Sequence, residues 1–97
     1  MKHFEDVWKE AEEVSSKVYK KDMGCVSKNI EIEAQQIVHS IKEGKTDMVQ
    51  DSVGEILFYL ACLCDEYKIN SWKELQSFTN DAKIDLYDEG EDSSLDD

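Results

Sequence analysis

QDSVGEILFYLACLC, residues 50–64, sets Asp51 and Glu55 around a glycine and then runs from Ile56 to Cys64 without a charge. A helix apolar on every side must be covered on every side. The run is far short of the roughly 20 apolar residues that cross a bilayer. Met48, Val49 and Val53 begin an amphipathic period just upstream, so the expected helix covers residues 47–68. Carboxylates at the mouth of such a segment are costly to desolvate unless a cation meets them.

Working back from this helix, EGKT (43–46) puts Gly44 where a helix C-cap belongs and Thr46 or Asp47 at the next N-cap. Ile30, Ala34, Ile37, Val38 and Ile41 give a preceding helix over 29–42, opened by Ser27 or Asn29 after Gly24 breaks the period. So short a joint makes these two helices antiparallel neighbours. Phe4, Val7, Trp8, Ala11, Val14, Val18 and Tyr19 mark a first helix over 4–21. Beyond the turn at 68–70, Ser71-Trp72-Lys73-Glu74 has the capping-box form. Trp72, Leu75 and Phe78 then give a short fourth helix one apolar stripe, expected to close the bundle. From about residue 86 the chain is dominated by Asp and Glu, which reads as a disordered acidic tail over 86–97 behind one domain over 1–85.

The fold class expected is therefore all-α, a four-helix-bundle-like domain, consistent with the absence of proline. A net charge of -12 and the lack of any arginine argue against a nucleic-acid-binding surface, since phosphate contacts need clustered Lys and Arg. The ligands such a chain favours are cations, or anions bridged by cations. Neither a membrane span nor a signal peptide is read in MKHFEDVWKE, so a cytoplasmic protein is expected. Cys25, Cys62 and Cys64 form no CxxC pair and read as reduced, buried thiols. His3 and His39 read as surface residues, and Trp8 and Trp72 as core or subunit contacts. The acidic tail offers a surface to a protein partner.

Asp51 and Glu55, four apart, share a helix face. Gly54 between them costs a helix about 1 kcal/mol relative to Ala, which suggests close approach by a backbone or ligand. On the preceding helix Glu33 borders the apolar stripe and Gln36 stands one turn on; antiparallel pairing brings both roughly level with Asp51 and Glu55. Three carboxylates and an amide oxygen in one seam would suit Mg²⁺ or Mn²⁺, with substrate phosphates completing the shell.

The stretch IEIEAQQIVHSIKEGKTDMVQDSVGEILFYLACLCDEYKIN (30–70) resembles the core of the MazG-like all-α nucleoside triphosphate pyrophosphohydrolases. Their motif is Glu-x-x-Glu on one helix, then Glu-x-x-Asp or Asp-x-x-Gly-Asp on the next, an apolar run and a closing turn. Glu33-Ala34-Gln35-Gln36 falls on the first part, Asp51-Ser52-Val53-Gly54-Glu55 on the second, and Tyr67-Lys68-Ile69-Asn70 on the turn. The resemblance implies Mg²⁺-dependent release of pyrophosphate and a nucleoside monophosphate. Glu33 and Glu55 would be catalytic, and Glu33, Gln36, Asp51 and Glu55 the metal set. It also implies a homodimer or homotetramer that covers the apolar third helix. Gln36 replaces the family's second Glu and Glu55 its Asp; in the Glu-x-x-Asp alignment Ser52 replaces a ligand. These departures carry an alternative: a catalytically lapsed bundle that binds a nucleotide or a protein partner as a regulator.

Overall fold

The computed structural model describes the backbone of residues 3–96 and the side chains of 3–87; residues 1, 2 and 97 lie outside it. Four helices follow in order: α1 (Phe4–Tyr19), α2 (Met23–Lys42), α3 (Thr46–Tyr67) and α4 (Ser71–Asp96). The all-α class read from the sequence holds, and no described helix is long and apolar enough to cross a membrane.

Several boundaries shift for local reasons. α1 ends on Lys20 and the turn continues through Lys21, both left-handed (φ 51° and 55°). Left-handed backbone is usually supplied by Gly or Asn, so two lysines gave no warning of a turn there. α2 consequently starts at Met23, six residues earlier than expected, with the Asp22 carboxylate accepting from the Cys25 backbone N–H at 3.1 Å. Gly24 thus lies inside the first turn of α2 instead of in a loop. Cys25, in the same turn, is exposed, while Cys62 is buried and Cys64 half-buried. Gly44 takes the left-handed position after α2 (φ 70°), as expected. At α4 the cap is Asn70, not Ser71: its side-chain oxygen accepts from the Lys73 N–H at 3.2 Å.

α3 is the centre of the fold, with α1 packed on one side and α2 on the other. The start of α1 lies beside the α3–α4 joint and Tyr19, at its end, meets Phe58, so α1 runs antiparallel to α3. Contact is made largely through small side chains: Ser15, Val26, Ser40, Ser52, Ala61 and Cys62 are all buried. Small residues let helix backbones approach closely, and they remove little apolar surface from water. A clasp fastens α1 to α3, the Ser16 hydroxyl donating to Asp65 at 2.6 Å and Lys21 pairing with Asp65 at 3.4 Å. The hydroxyl is the main cause that holds the Asp65 carboxyl below its ordinary pKa.

α4 does not close the bundle. It makes little contact with the other helices, and Trp72, Leu75 and Phe78, expected to pack, are 52%, 67% and 74% exposed. It also continues past residue 86, where a tail is expected, to Asp96; no proline interrupts its backbone bonding. The side chains expected to make that tail acidic, from 88 on, lie outside the described residues. The radius of gyration, 17.2 Å, exceeds the roughly 12–13 Å of a compact domain of this length. Nor is α3 covered all round, since Val53, Leu57 and Leu60 form an exposed row along it.

Candidate functional site

The turn at 43–46 folds α3 back along α2 and sets Glu33 opposite Ser52. Both are buried (6% and 3% exposed), and the Ser52 hydroxyl donates to Glu33 Oε1 at 2.8 Å. A carboxylate so placed is tolerable because it accepts a hydrogen bond where water cannot reach. Glu55, one turn along the same face of α3 as Ser52, is exposed and also meets Glu33. The two carboxyls lie within hydrogen-bonding reach of each other. Hydrogen bonding with Glu33, then burial, then the Glu33 charge raise the Glu55 pKa above the ordinary carboxylate value. Asp51 adds a smaller push in the same direction.

On the far side of Glu55, the Tyr59 hydroxyl points to Glu55 Oε2 at 3.5 Å, the limit of a useful hydrogen bond. Tyr59 packs edge-on against Tyr19 of α1, ring centroids 5.6 Å apart. Burial, followed by the Tyr19 hydroxyl, pushes the Tyr59 pKa up to about 12, so this phenol stays protonated across the working range. Ser52, Glu33, Glu55, Tyr59 and Tyr19 thus form one polar row that touches α2, α3 and α1.

Of the expected metal set, Glu33 and Glu55 meet. Asp51 is exposed and acts on Glu55 only through its charge, and Gln36 is exposed without a hydrogen bond among the described residues. Among the described residues, no group of three or more His, Cys, Asp or Glu side chains is arranged to hold an ion. The convergence of three carboxylates and an amide is therefore replaced by a carboxyl pair. Gln36 lies one turn beyond Glu33 and stays exposed. Two carboxylates still fit Mg²⁺ or Mn²⁺, which commonly take one or two from the protein and the rest from water and substrate phosphates. The pair is anionic and, among the described residues, without an ion-pair partner, a donor set that a divalent cation suits.

Gly54 does not serve a close approach: a methyl group built on it would meet nothing within 4 Å. Two members of the row escaped the sequence reading. Ser52 was weighed only as a missing ligand and Tyr19 only as packing. The spacing 52, 55, 59 is i, i+3, i+7 and already puts those side chains on one face. The partner helix of Tyr19 has no such signal, because α1 and α3 are far apart in the chain.

An open cleft of about 410 Å³ lies elsewhere, between the start of α1 and the α3–α4 joint, lined by Phe4, Trp8, Lys68 and Trp72 among others. It touches none of Glu33, Asp51 and Glu55. His39 is on the surface, paired with Glu43 one turn on, as expected of a residue opposite the stripe. Comparison of the chain with protein-family models, curated proteins and solved structures finds no match.

Proposed function

We propose that the chain is a divalent-cation-dependent nucleoside triphosphate pyrophosphohydrolase of MazG-like type, with Glu33 and Glu55 as its working carboxylates. The observation that carries this reading is the contact between these two side chains across the α2–α3 seam, with neither neutralised by a lysine. The sequence resemblance over residues 30–70 supports it. Glu33 and Glu55 would hold a divalent cation, which would supply positive charge for the triphosphate oxygens and the leaving pyrophosphate. Glu33, buried and held by Ser52, is the rigid oxygen donor. Glu55, exposed and with a raised pKa, is the group that takes a proton from an attacking water at its outer oxygen. Asp51 adds negative charge at the mouth of the seam, and Tyr59 limits where the Glu55 side chain can swing. Purified protein with Mg²⁺ and a panel of NTPs and dNTPs is expected to release pyrophosphate, and Glu55→Gln to abolish the release.

A second reading has its own support: Gln36 stands apart from the pair, and Ser52 occupies a ligand position of the family motif by bonding to Glu33 instead. On this reading the bundle has lapsed as an enzyme and binds a nucleotide or a protein as a regulator. Calorimetry that finds nucleotide or partner binding in a protein without turnover selects it.

A further inference from the structure

The cleft between the start of α1 and the α3–α4 joint, about 410 Å³, falls within the size range of ligand sites. Glu5, Trp8 and Glu12 follow at i, i+3 and i+7 and share the face of α1 that lines it. Phe4 stacks on Trp8, with ring centroids 5.9 Å apart and planes 26° from parallel. Trp72, in the first turn of α4, completes the aromatic wall. Phe4 and Trp72 are 67% and 52% exposed, so much of that ring surface faces water.

Glu12 is half-buried, and among the described residues no lysine comes within ion-pair distance of it. Burial, then the charge of Asp65, raises its pKa above the ordinary carboxylate value. The Trp8 indole N–H offsets part of that rise, although it makes no hydrogen bond of good geometry. A carboxylate in such a place gains from a cation that brings its own cover from water.

We propose that this cleft binds an organic ammonium head, alkylated at nitrogen, between the Phe4, Trp8 and Trp72 rings and against the Glu12 carboxylate. Ring faces attract a cation within about 6 Å of their centroids, most strongly one that is desolvated there. Magnesium or calcium is a poor occupant, because such hard ions need several oxygen ligands. Lys9 and Lys68 also line the cleft, but Glu5 and Glu12 balance their charges, and the charge of Lys68 acts on Asp65. The field of a chain at -12 then decides the sign. It draws cations and repels the carboxylate or phosphate that two lysines would otherwise favour. Neither Glu33 nor Glu55 lines the cleft, so this site stands apart from the proposed hydrolysis.

Both tryptophans of the chain line the cleft, so tryptophan fluorescence of the full chain reads it directly. Choline chloride is expected to change the emission saturably. Dimethylbutanol, the neutral carbon isostere of choline, and sodium chloride at matched ionic strength are expected to leave it unchanged. Phe4→Leu, which removes an exposed ring and keeps an apolar side chain, and Glu12→Gln are each expected to weaken choline binding by about fivefold or more, with the helical circular dichroism retained. Glu55→Gln is expected to bind as wild type does. A peptide carrying trimethyl-lysine, titrated in parallel, separates an ammonium borne on a protein from a free one by which of the two binds more tightly. The proposal is overturned if neither choline nor the peptide gives a saturable response, if the neutral alcohol responds equally, or if either Phe4→Leu or Glu12→Gln binds with unchanged affinity.

Discussion

Replacing Ser52 by Ala removes one hydroxyl and almost no volume, so its effect reports on a single hydrogen bond. That bond is 2.8 Å long, joins two buried side chains and ends on a carboxylate. Hydrogen bonds to charged groups contribute roughly 1.5–3 kcal/mol when truncated, and the acceptor left behind in the seam keeps its desolvation cost. Ser52→Ala is therefore expected to destabilise the fold by about 2 kcal/mol, which for a domain of this size lowers Tm by roughly 10 °C. Urea unfolding followed by circular dichroism at one fixed protein concentration measures it. A cycle with Glu33→Gln and Ser52→Ala, singly and together, isolates the pair: the coupling should be at least about 1 kcal/mol, since contacting residues couple at that scale. A Ser52→Ala loss below about 0.5 kcal/mol, with no coupling to Glu33, would refute the claim that this hydroxyl holds Glu33 in place.

Gly54→Ala is expected to stabilise the protein by about 1 kcal/mol, because Gly54 is inside α3 and a methyl group there meets nothing; denaturant unfolding checks this, and a loss of stability would mean a neighbour does press on Gly54. For Glu55, the folded pKa lies above the unfolded one, so its contribution to stability is complete below the ordinary carboxylate pKa and disappears as pH rises through the raised value. Between those limits, unfolding at stepped pH should show the advantage of wild type fading; Glu55→Gln, neutral throughout, should lack this pH dependence.

The sequence carried the helix count, the antiparallel α2–α3 pair and the level placement of Glu33 with Glu55, because those follow from 3.6-residue periodicity and one short glycine turn. It did not carry the turn at Lys20 and Lys21, where the left-handed backbone is taken by residues that usually avoid it. Nor did it carry the exposure of α4: a stripe of Trp72, Leu75 and Phe78 says that something covers it, not whether that cover lies in the same chain. The candidate site was legible in part: Asp51 and Gln36 do not join the pair, and Ser52 and Tyr19 were not singled out. Glu33 and Glu55 meet, as the antiparallel pairing implies, while Gln36 was drawn in by spacing alone, which fixes its level along α2 but not its burial.

The central claim rests on the carboxyl pair, and pyrophosphate release is its most direct measure. Wild-type protein given nucleoside triphosphates should release pyrophosphate in Mg²⁺ and not in EDTA, and Glu33→Gln should abolish release while keeping the helical fold. Absence of Mg²⁺-dependent release on every nucleotide, or release undiminished in Glu33→Gln, would contradict it.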